Sequence, residues 1–181
     1  MLRLVEPTKE NLKEIKKGLI EIKNHPSPYD IHLFKSLLKS IEEDFNSYLE
    51  KWHQKQSEQQ PEGQVPATAL FLFDDDNFIG FFDIRHYLNE KLRKTSGHIG
   101  YEIIPSERNK GYGRKGLKLA LKWCHDNLSL DKVLISCNIE NHASYKVITS
   151  ILKEVGGYEE SSIRLNDTIK YRTWIRTARE K

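Results

Sequence analysis

No apolar run in this 181-residue sequence approaches the roughly 20 residues needed to cross a bilayer, so membrane insertion is not expected. The first residues carry charge at Arg3 and Glu6, where an export signal would need an apolar stretch, and a cytoplasmic address is the expectation. Cysteine is scarce: Cys124 and Cys137 are the only two, which excludes a disulfide framework. Charge of one sign is also lacking, since the net charge of +3 is too mild to imply nucleic acid by itself. No internal repeat is visible, and no metal centre is expected. What remains is 38% hydrophobic and 30% charged, the balance of one globular domain, expected to span 1–181.

Periodicity supplies the elements. A short strand at Leu2 to Val5 precedes a helix striped by Leu12, Ile15, Leu19 and Ile22. After the break at His25-Pro-Ser-Pro, Asp30 is positioned to cap a long helix on which Leu33, Leu37, Ile41, Phe45, Tyr48 and Trp52 recur at helical spacing. Residues 54 to 66 have loop composition. Strands at 68 to 73 and 78 to 86 flank an Asp-rich turn and read as a hairpin, and a polar connection at 87 to 97 follows. The second half holds two strand–helix units and a closing hairpin around Asn166-Asp167, so the order of elements predicts a mixed α/β sheet.

Between these halves lies His98 to Gly116. Its strand places Ile99, Tyr101 and Ile103 on one face and His98, Gly100 and Glu102 on the other. Six Lys or Arg residues and no acid fall between Arg108 and Lys122, around glycines at 111, 113 and 116. Glycines opening a helix let backbone N–H groups approach an anion, with the positive end of the helix dipole behind them, so phosphate is the expected guest. Gly111 to Gly116 also matches the dinucleotide pattern G-x-G-x-x-G, but the acid that would hold a ribose, Asp131, precedes its strand and stands at the wrong end. Nucleic-acid binding through the basic helix lacks interleaved aromatics, with only Tyr112 and Trp123 at hand.

A second set of residues supplies a closer resemblance. Arg108-Asn-Lys-Gly111-Tyr-Gly113, after Ile-Gly-Tyr-Glu-Ile-Ile-Pro, resembles the acetyl-CoA signature of the GNAT superfamily of N-acetyltransferases, and Asn141-His-Ala-Ser144 with Gly156-Gly157-Tyr158 resembles its later motif. The resemblance is specific from about residue 78 to 158. It implies an α/β fold with a mostly antiparallel sheet of six or seven strands, flanked by helices and splayed at a central pair. It also implies direct transfer of an acetyl group from acetyl-CoA to a primary amine of a small molecule or protein, with a non-catalytic acyl-CoA-binding module as the alternative. By the same resemblance the pyrophosphate meets the backbone of Arg108, Asn109, Lys110, Gly111, Tyr112, Gly113 and Arg114. Lys110, Arg114 and Lys115 serve the 3′-phosphate, while Ile103, Ile104, Asn141 and Ser144 meet the pantetheine arm. A monomer or homodimer is expected.

Transfer to an amine near pKa 10.4 requires a proton acceptor, because the neutral form at pH 7 costs on the order of 4–5 kcal/mol. His98 is the first candidate, on the polar face of the central strand and titrating near neutrality, followed by Glu102, His86 and Asp83. The family's usual Tyr acid has no counterpart: Ile148 stands seven residues beyond Asn141, and Tyr145 comes nearly a turn too early. Cys124 and Cys137 read as core, since direct transfer needs no covalent enzyme step. Tyr171, Arg172 and Trp174 are candidates for the acceptor side.

Overall fold

The computed structural model describes residues 1–29 and 33–178, so the expected cap Asp30 and the side chain of Leu33 lie outside the described residues. Strands β1 (Leu2–Val5), β2 (Ala67–Asp74), β3 (Asn77–Arg85) and β4 (Ile99–Ile103) form one antiparallel sheet in sequence order. Strands β5 (Lys132–Asn138), β6 (Gly157–Leu165) and β7 (Thr168–Arg176) form a second antiparallel sheet with β7 in the centre. The fold is mixed α/β, with seven strands and six helices among the described residues.

Alternation in β2 and β3 builds two cores from one sheet. Leu70, Leu72, Ile79, Phe82 and Ile84 face helices α5 (Tyr112–Leu128) and α6 (His142–Val155). Phe71, Phe73, Phe78 and Phe81 face α1 (Leu12–Asn24), α2 (Leu33–Glu43) and α3 (Phe45–Lys55). A strand buried on both faces sits in the middle layer of three, and each fully buried Phe contributes about 1.5–3 kcal/mol. Trp52 ties α3 to the sheet by donating from Nε1 to the Ala69 carbonyl at 2.8 Å.

Two expectations change in detail. The long second helix is two, because Asp44 adopts an extended conformation and caps α3, accepting from the Asn46 N–H at 3.0 Å and the Ser47 hydroxyl at 2.6 Å. A capping side chain thus interrupts an apolar stripe that continues on both sides. The connection at 87 to 97 contains a short helix, α4 (Glu90–Thr95), capped by Asn89. Helix α5 begins at Tyr112, with Gly111 as its N-cap and Gly113 and Gly116 in its first turns, so the glycines open the helix as expected.

The two sheets meet at one point. Gly97 and Ile135 form an isolated bridge, and the His98 N–H donates to the Leu134 carbonyl at 2.7 Å. Gly97 has φ +68, and a Cβ there would lie 2.3 Å from the Leu134 carbonyl oxygen, so only glycine permits the approach. Beyond this point β4 and β5 share no ladder; a small cavity opens between them, and a larger cleft follows along β4.

Candidate active site

The cleft has a volume of about 640 Å³ and runs from the edge of β4 to the N-termini of α5 and α6. At its α5 end the chain turns through two left-handed residues, Asn109 (φ 62) and Gly111 (φ 81). Gly111 is the N-cap and supplies no side-chain bond, so the first-turn N–H groups of Tyr112, Gly113 and Arg114 have no capping side chain among the described residues. A Cβ on Gly111 would meet nothing within 4 Å, which leaves the space before this turn open. Open donors at the positive end of a 17-residue helix are able to receive an anion.

The opposite wall is α6. Asn141 caps it by accepting from the Ser144 N–H at 3.1 Å, and the Ser144 hydroxyl lies 3.3 Å from the Tyr101 hydroxyl on β4. The Tyr101 ring stacks on Phe82, with centroids 5.3 Å apart and planes at 13°. Burial pushes the Tyr101 phenol up to about 12, so it keeps its proton. Past Tyr101, Asn141 and Ser144, which line both spaces, a second cavity of about 160 Å³ continues toward β3, α4, β5 and β7.

An acetyltransferase (GNAT) domain family matches residues 6–151, the larger part of the chain and both walls of the cleft. The chain belongs to the GNAT acetyltransferase family. A segment of 82 residues is 28% identical to an uncharacterised N-acetyltransferase of Bacillus subtilis, YnaD, covering 45% of this chain and 46% of the relative. The match therefore spans about half the length of that curated relative. Among solved structures, a mutant of the spermidine N-acetyltransferase SpeG from Vibrio cholerae shares the fold, with TM-score 0.60, 17% identity and 97% and 94% of the two chains covered. A ribosomal-protein-S5-alanine acetyltransferase from Vibrio fischeri does likewise, with TM-score 0.61, 15% identity and coverage of 97% and 92%.

Within this GNAT frame, nine of the residues expected to hold a cofactor line the cleft: Ile103, Arg108, Asn109, Gly111, Tyr112, Gly113, Arg114, Asn141 and Ser144. Three do not. The Ile104 N–H bonds the Ile79 carbonyl at 2.9 Å and its side chain is buried under α1, so its backbone is taken by β3. Lys110 pairs with Glu107 at 3.1 Å, and the Lys115 ammonium sits 5.6 Å from the centre of the Tyr112 ring. Arg108 lines the cleft, but its guanidinium turns back: Nε donates to the Ile103 carbonyl at 3.0 Å and Nη2 to Glu102 Oε1 at 2.9 Å. Arg114 and Lys118 share Glu154. In this arrangement the backbone of the helix start, more than the basic side chains, faces the cleft.

The candidates for proton transfer separate. His98 is buried at the seam, where Nδ1 accepts the Leu134 N–H at 2.9 Å, and burial holds its pKa down to about 4. It lines neither cavity, so its geometry is that of a structural residue. His86 lies just past β3 with Nε2 2.9 Å from the Thr68 hydroxyl, again off both cavities, and burial lowers its pKa. Asp83 is 3% exposed and pairs with Lys55 at 3.0 Å and Arg85 at 3.1 Å. Glu102 alone of these lines the cleft.

Other expected residues resolve into packing. Ile148 is fully buried in the core, and Tyr145 packs edge-on against Tyr171 at 4.8 Å. Burial pushes the Cys124 thiol up to about 12 and Cys137 to about 11, which keeps both protonated. Tyr171 donates to Glu159, Arg172 pairs with Glu160, and Trp174 donates to Glu160 at 3.1 Å; none lines either cavity. The β7 residue that does reach a cavity is Lys170, and Arg85 joins it from β3. Tyr101, Arg85 and Lys170 escaped the sequence reading. For Tyr101 a signal existed, since its alternation set it with Ile99 and Ile103 on the face opposite Glu102.

Proposed function

We propose that this protein transfers an acetyl group from acetyl-CoA directly to a primary amine. The observation that carries the reading is the uncapped start of α5, with its N–H groups opening on a cleft of about 640 Å³. Tyr112, Gly113 and Arg114 offer backbone donors to a pyrophosphate, and Asn141 and Ser144 flank the path of a pantetheine arm along β4. Acetyl-CoA, when bound, supplies the activated acetyl thioester.

The chain's own residues divide the proton work. Glu102, on the cleft and held by Arg108, is the carboxylate that takes the amine proton, directly or through water. Tyr101, paired with Ser144 where the two cavities join, retains its proton and donates a hydrogen bond to the leaving group. In this reading the donor stands on β4, where relatives place a Tyr on the helix after the Asn motif.

Thermal stabilisation by acetyl-CoA, with adenosine and NAD as controls, tests the binding half, and free-thiol release across an amine panel tests the chemistry. Absence of stabilisation by acetyl-CoA overturns the reading. The buried Ile148 favours a second one, a non-catalytic acyl-CoA-binding module. Stabilisation without thiol release for any amine would select it.

A further inference from the structure

We propose that the acceptor amine carries an anionic group, a carboxylate or a phosphate, which docks between Arg85 and Lys170 in the smaller cavity. The proposal rests on the acetyl-transfer reading and names its substrate class. That cavity adjoins the cleft at Tyr101, where the acceptor must meet the acetyl group. Its charged lining among the described residues is Arg85 and Lys170, with no Asp or Glu.

The neighbouring charges do not cancel these two. Arg85 pairs with Asp83 at 3.1 Å and donates to the Gly97 carbonyl at 3.2 Å, but Asp83 is shared with Lys55, so two cations face one carboxylate there. His98, next to Arg85 across the strand pair, stays neutral because its pKa is held near 4. Arg85 and Lys170 are the cations that line the cavity, and even with Asp83 counted fully against them the wall keeps a net positive charge. Burial lowers the Lys170 pKa, a cost that a bound anion relieves. Asn138, its partner across β5 and β7, also lines the cavity, and its Oδ1 is buried without a hydrogen-bond partner among the described residues. It is available to a ligand N–H.

Size and charge together select the class. A volume of about 160 Å³ is close to that of cavities that hold a molecule of benzene's size, roughly 150 Å³. A small amino acid or aminoalkyl phosphate fits this, bringing its anion to the two cations. A polyamine would bring two or more positive charges to a positive wall, and like charges brought together in a partly dry site discriminate strongly.

The test is an acceptor panel: amino carboxylates and aminoalkyl phosphates, the uncharged methyl esters of the same amino acids, and diamines with spermidine. The expected result is a kcat/KM at least about tenfold higher for the anionic amines than for their esters or the diamines. Lys170→Glu should erase that preference while acetyl-CoA still raises the melting temperature. Preference for diamines, indifference to esterification, or transfer to no anionic amine overturns the proposal while the acetyl-CoA stabilisation stands. Loss of that stabilisation in the unmodified protein would instead remove the acetyl-transfer reading, and this proposal with it.

Discussion

His98 closes two hydrogen bonds to Leu134, its Nδ1 accepting the Leu134 N–H at 2.9 Å and its own N–H donating to the Leu134 carbonyl at 2.7 Å. Together with the Gly97–Ile135 bridge, it ties the two sheets at the point where they part. His98→Ala leaves the Leu134 N–H buried and unpaired, an expected loss of about 1–3 kcal/mol in urea unfolding. Turnover by the folded fraction should stay within a few-fold, and a much larger loss would return His98 to the chemistry.

The same imidazole makes stability depend on pH. Its folded pKa of about 4 lies below the ordinary 6.5, so the unfolded chain binds the extra proton between these values. Stability is then complete above pH 6.5 and falls as pH drops toward 4, by up to roughly 3 kcal/mol from this group. His86, shifted in the same direction, adds to the slope. Unfolding midpoints between pH 4 and 7 should fall less steeply for His98→Gln than for the unmodified protein.

At the helix start, Gly113 is the position that separates fold from ligand. A Cβ there would touch Tyr101 and Val147 at an ordinary 3.6 Å, so Gly113→Asp should fold. Its carboxylate at the donor end of α5 should abolish stabilisation by acetyl-CoA. Lys122 pairs with Asp126 on the exposed face, and Lys122→Ala should leave that stabilisation intact. Loss at Lys122 would extend the anion site a further two turns along the helix.

Removing one hydroxyl tests the donor on β4. Tyr101→Phe keeps the stack on Phe82 and should lower kcat by about 10²-fold with the acetyl-CoA melting shift unchanged. An unaltered kcat would hand the role to water.

Arg108 and Glu102 form a pair whose halves are unequal. Glu102 is 8% exposed, whereas Arg108 keeps about a third of its side chain in water. Arg108→Ala removes the guanidinium from this buried carboxylate, with an expected destabilisation of about 1–3 kcal/mol after allowance for that hydration. Adding Glu102→Gln should recover part of the loss in a double-mutant cycle, and strict additivity of the two would show that they do not interact.

Much of this was legible in the chain because it is local. The alternation of Ile99, Tyr101 and Ile103 against Gly100 and Glu102, the Asn141 cap, and the hairpin at Asp74–Asn77 each depend on residues within a few positions of one another. The break at Asp44 was missed although its cap is local, because the apolar stripe runs through it.

Side-chain destinations were not legible, since they depend on partners far away in sequence. His98 has the composition of a base, yet a neighbour 36 residues away takes its nitrogen and makes it a strut. Arg108 has the place of a phosphate ligand, yet it curls back onto Glu102 and Ile103. Lys170, unremarkable on a closing strand, reaches the cavity because β7 pairs with β5. The sequence by itself determined the elements, the family motifs and the uncapped glycine turn, because hydrophobic period and backbone conformation act over a few residues. Only the tertiary structure decided which polar groups open on the cleft, because burial and hydrogen-bond partnership are set by packing between strands and helices distant in the chain.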